Sequence, residues 1–78
     1  MNASIKVKSI SAGPEHGDYF YKVGAEVTTS KGRLPISEIV EQEDDNGNIQ
    51  YYKIFVGHGV KSLWRRVTPS QIEVEYEL

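Results

Sequence analysis

Apolar and polar positions alternate most cleanly between Ile72 and Leu78. Ile72, Val74, Tyr76 and Leu78 take one parity, and Glu73, Glu75 and Glu77 take the other. Side chains of an extended chain point alternately to opposite faces, so this pattern predicts a strand with one buried and one acidic face. The same rule reads Ile5 and Val7 against Lys6 and Lys8 as a short strand, whose phase Ile10 breaks with a bulge or strand end near Ser9. Tyr19, Tyr21, Val23, Ala25 and Val27 share a parity opposite Lys22, Gly24, Glu26 and Thr28, which predicts one half-buried strand.

Turn chemistry separates these runs. Gly13-Pro14-Glu15-His16-Gly17-Asp18 reads as a loop and Ser30-Lys31-Gly32-Arg33 as a turn. Leu34 to Gln42 admits two readings. Ile36, Ile39 and Val40 fit a helical face with Ser37 as N-cap, whereas Leu34, Ile36 and Val40 fit a strand. The strand is favoured because Asp45-Asn46-Gly47-Asn48 contains Asn-Gly, the preferred two-residue hairpin turn, and Ile49 to Val56 supplies the second arm. Gly57-His58-Gly59 then interrupts the chain, and Ser62 to Val67 forms a short strand. Thr68-Pro69-Ser70-Gln71 forms a turn, read as a 3₁₀ turn before the last strand. The expected fold is all-β, a small five- to six-stranded barrel or open barrel, with residues 1-78 as a single domain.

Val23-Gly24-Ala25-Glu26-Val27, Lys31-Gly32-Arg33, Ile36 to Val40, Asn46-Gly47 and Tyr51 to Val56 together resemble an SH3-like small β-barrel of the Tudor or KOW kind. Thr68 to Ile72 is similar to the 3₁₀ turn and closing strand of such barrels, so the resemblance runs from Tyr19 to Leu78. It implies a domain that binds proteins, peptides or nucleic acids and seldom catalyses, although one fold hosts many functions.

Composition narrows the chemistry. A chain of 78 residues has room for one core and no deep cavity beside it. With no Cys, disulfides, thiolate metal sites and a Cys nucleophile are excluded. The first residues hold no continuous apolar segment of the secretory type, and no run approaches the ~18 residues that span a bilayer. The expectation is a cytoplasmic protein with no membrane partner. His16 and His58 show no zinc-ligand spacing, and the acidic run Glu41, Glu43, Asp44, Asp45 lacks the calcium-loop pattern and reads as a solvated hairpin tip. No nucleophile motif is present, so no catalytic residue, metal or cofactor is expected.

The net charge is −2, but no acid lies between Asn46 and Ile72, where Lys53, Lys61, Arg65 and Arg66 fall. Phe20, Tyr52, His58, Lys61, Trp64, Arg65 and Arg66 are the candidate partner-binding residues, since Trp and Arg are favoured anchors for protein partners. Lys31, Arg33, Lys61, Arg65 and Arg66 form the alternative, a phosphate-binding set for nucleic acid. Plain architecture competes with both: Trp64 fills the core and the basic residues point to water. Alternation puts Trp64 and Arg66 on one face and Arg65 on the other. The resemblance to Tudor barrels implies that Tyr19, Phe20, Tyr21, Tyr51 and Tyr52 could form an aromatic cage for a methylated cation, against the simpler reading of core and cross-strand packing. Together these features predict a non-enzymatic protein-interaction module, an adaptor or subunit contact, with nucleic-acid binding as the alternative. The exposed first or last strand is available to another chain, although the glutamate stripe discourages self-pairing of the last strand in register.

Overall fold

The computed structural model describes residues 6–70 and 72–77. Ile5, Gln71 and Leu78, which the sequence places in strand and turn elements, lie outside them. The strands are β1 (Lys6–Ala12), β2 (Tyr19–Lys22), β3 (Glu26–Thr29), β4 (Gly32–Glu43), β5 (Ile49–Val56), β6 (Ser62–Val67) and β7 (Ile72–Glu77). They form two antiparallel sheets, ordered β2-β1-β7 and β3-β4-β5-β6, one of them curled into a half-barrel. The all-β expectation holds, with an open barrel rather than a closed one. Among the described residues no helix is long and apolar enough to cross a membrane.

Seven strands replace the expected five or six because the Tyr19–Thr28 run is divided. Gly24 adopts φ 97°, a left-handed value open to glycine, and turns the chain from one sheet into the other. The corner is pinned on both sides: Val23 N–H donates to the Lys8 carbonyl, and Gly24 N–H donates to the Ile36 carbonyl. The 3₁₀ turn also sits elsewhere, at Pro14–His16, and none occurs at 68–70. A proline at its first position and a left-handed Gly17 at its end account for its short span.

The core takes Val7 and Ile10 from β1, Ile36 and Ile39 from β4, and Tyr52, Ile54 and Val56 from β5. Leu34 to Gln42 is strand, as favoured, yet its inward residues are Ile36 and Ile39 instead of Ile36 and Val40. Ser37 is an extra residue between Ile36 (opposite Val56) and Glu38 (opposite Phe55), and this bulge reverses the phase. The helix-like spacing of Ile36 and Ile39 is therefore a bulge. The Ser37 Oγ is buried without a hydrogen-bond partner among the described residues. The hairpin joining β4 to β5 is also longer than two residues. Asp44 organises it, with Oδ1 accepting the N–H groups of Asn46 at 2.9 Å and Asn48 at 3.0 Å, while Gly47 takes φ 82°. This accounts for Asp44 as turn chemistry, while Glu41 and Glu43 belong to β4.

Candidate functional site

The site grows from a second bulge. In the β5–β6 pair, Ile54 faces Arg65 and Phe55 faces Leu63, which leaves Trp64 as the extra residue. Arg65 thereby shares the side of fully buried Ile54, and Trp64 packs against the same core. The alternation expected for this strand is overturned: Trp64 and Arg65 act on one side, and Arg66 pairs with Lys53 on the other.

Sheet β2-β1-β7 supplies the opposing wall. Tyr19 and Tyr21 share the inward parity of β2, and their rings stack with centroids 4.8 Å apart. Tyr21 meets Trp64 edge to face at 5.4 Å, a geometry that sets positive ring edge against negative ring face. The Arg65 guanidinium lies 4.3 Å from the Trp64 ring centroid and donates to the Tyr21 hydroxyl at 2.7 Å. An arginine fixed by a ring and a hydroxyl is preorganised, because its side-chain freedom is lost before any ligand arrives. Tyr21 occupies one Arg65 nitrogen, which leaves N–H donors on a cation with five.

Between these walls lies an open cleft of about 320 Å³, bordered by His16, Tyr19, Tyr21, Arg65, Arg66 and Ser70. Burial and the neighbouring Tyr21 raise the Tyr19 phenol above its ordinary value, so it keeps its donor proton further into the alkaline range. The cleft therefore combines stacked rings, cationic donors and hydroxyls, a surface suited to a carboxylate or another oxyanion beside an apolar group.

Several sequence candidates lie elsewhere. Tyr52 is 3% exposed and belongs to the core, so it cannot meet a partner. Phe20 is 63% exposed, on the face of β2 away from the cleft. His58 is exposed in the turn before β6, at the opposite end of that strand from the cleft. Lys61 is held by Glu38 at 3.1 Å, and Arg33 by Glu26 at 3.5 Å. Lys31 sits in the β3–β4 turn. The five cations of the phosphate set therefore do not converge. Neither do the five rings, since Tyr52 is in the core, Phe20 points away from the cleft and Tyr51 lies under Arg66 at 5.6 Å on the outer face. His16 and Ser70 carry no sequence signal for this cleft, whereas Tyr19 and Tyr21 are marked by their shared parity and as members of the aromatic group.

No protein-family model matches this chain, and neither does any curated protein or solved structure.

Proposed function

We propose that this chain is a non-enzymatic protein-interaction module, an adaptor or subunit contact on an SH3-like barrel of the Tudor or KOW kind. Its cleft between β2 and β6 takes an acidic, extended peptide segment. The observation carrying this reading is Arg65, seated on Trp64 and tied to Tyr21 at the edge of a ring-lined cleft. Fixed Arg and Trp side chains at a desolvated contact are the usual anchors of protein partners. The cleft is open to water, which suits recognition better than chemistry requiring a dry site.

Nucleic-acid binding through Lys31, Arg33, Lys61, Arg65 and Arg66 is the weaker reading. Phosphate binding depends on many neutralising cations, and Arg33 and Lys61 are already matched by glutamates.

A displayed library of random peptides supplies the test, read by the fluorescence of the single Trp. Peptides enriched on the wild type should be acidic, perturb Trp64 emission and lose binding to an Arg65→Glu variant. Enrichment of peptides that bind both proteins equally would sink the proposal. Binding of a single-stranded oligonucleotide at low salt, lost in Arg65→Ala/Arg66→Ala, would put the weaker reading in its place.

A further inference from the structure

Four strand edges stand open among the described residues, β2 and β7 on one sheet and β3 and β6 on the other, and the two longer ones, β6 and β7, carry opposite charge. Each of these two is six residues long. An open edge presents unpaired N–H and C=O groups, a template for another strand. On the outer face beside the β6 edge, Arg66 is directly opposite Lys53. Like charges so placed repel, and among the described residues neither has a carboxylate within ion-pair reach. On the outer face of β7, Glu73 and Glu75 are opposite Ser11 and Ser9 of β1. Glu75 accepts only a long 3.5 Å hydrogen bond from Ser9, and neither glutamate meets a cation among the described residues.

We propose that a second copy of this chain docks its β7 edge on the β6 edge of the first, extending one copy's four-stranded sheet into the other's three-stranded sheet. An antiparallel register that sets Glu75 opposite Arg66 also brings Val74 opposite Val67 and Tyr76 opposite Arg65. The glutamate neutralises a repulsion left unbalanced in the single chain, and two rows of unpaired main-chain groups are satisfied together. Charge selects this pairing over self-pairing, since β7 on β7 sets glutamates together and β6 on β6 gathers arginines, while the β2 and β3 edges are only four residues long. The contact joins unlike surfaces, so each added copy leaves one free edge of either kind and assembly continues past the dimer. It rests on the charges and main-chain edge of β6 and not on the peptide-cleft reading, although Arg66 also borders the cleft.

Sedimentation velocity over a concentration series tests it, with circular dichroism confirming that each protein is folded. At about 20 mM salt the wild-type mass should rise with concentration beyond two copies, and at about 500 mM it should fall to one, as screening predicts. Lys53→Glu/Arg66→Glu and Glu73→Lys/Glu75→Lys should each remain monomeric alone. Mixed in equal amounts they should associate again, because the charges are then complementary at both edges. A monomeric wild type at all concentrations, a plateau at the dimer, or a mixture that stays monomeric would each overturn the proposal.

Discussion

Two neighbouring strands carry nearly the same tripeptide chemistry and use it in opposite ways. β5 contains Tyr51-Tyr52-Lys53 and β6 contains Trp64-Arg65-Arg66, each an aromatic run turning basic. In β5 the pleat is regular at these positions: Tyr52 enters the core, while Tyr51 and Lys53 point outward. In β6 the extra residue puts Trp64 and Arg65 on the same side, where they meet Tyr21. Regular alternation separates a ring from its basic neighbour, and one bulge reunites them. The same device at Ser37 serves only packing, because it brings Ile39 rather than a polar group to the inner face. A bulge creates a candidate site only where the opposite sheet offers it a partner.

The contrast can be broken most severely in β5. Tyr52→Ala should cost about 3–5 kcal/mol in denaturant unfolding, the usual range for removing a buried ring, whereas Tyr51→Ala should cost about 1 kcal/mol or less. Near-equal losses would mean that the two rings are not sorted between core and surface.

The link from β5 to β6 gives the next effect. Gly57 has φ 133°, and a Cβ there would run into the Val60 carbonyl oxygen. Gly57→Ala should therefore lose about 1–3 kcal/mol through backbone strain and disturb Trp64 emission with it. Unchanged stability would show that the turn yields freely.

Alkaline pH probes an exposed contact between β7 and β4 at a smaller scale. Tyr76 donates to Glu41 Oε2 at 2.6 Å, and this hydrogen bond, with burial second, raises its phenol well above the ordinary tyrosine value of about 10. Below pH about 10 both folded and unfolded chains hold the proton; above it the unfolded chain releases its proton first, so folding stability falls as pH rises. Melting temperature should drop between pH 8 and 11 in the wild type and drop less in Tyr76→Phe. Equal drops would remove Tyr76 as the cause.

The mildest test acts on the site alone. Arg65→Ala should change stability by about 0.5 kcal/mol or less, as expected for an exposed side chain, yet shift Trp64 emission. Arg66→Ala should leave that emission unchanged. An equal response would mean that the bulge does not sort the two arginines.

The sequence by itself determined that this chain is a set of short strands, because apolar parity and Gly/Pro/Asn turn chemistry are local properties. It placed β6 and β7 closely and favoured strand over helix for 34–42, a choice the structure settles. It also identified Trp64, Arg65 and Arg66 as residues of interest. It did not locate the sheet change at Gly24 or the bulges at Ser37 and Trp64, since one inserted residue leaves composition intact while reversing every face beyond it. It could not sort Tyr52 into the core and Phe20 out of the cleft, because those choices depend on which sheet covers which face. Nor could it show that Lys61 and Arg33 are matched by Glu38 and Glu26, the first across 23 positions of chain. Tertiary structure made those decisions. The meeting of Tyr21 and Arg65, 44 residues apart, belongs to the packing of two sheets and to no local pattern.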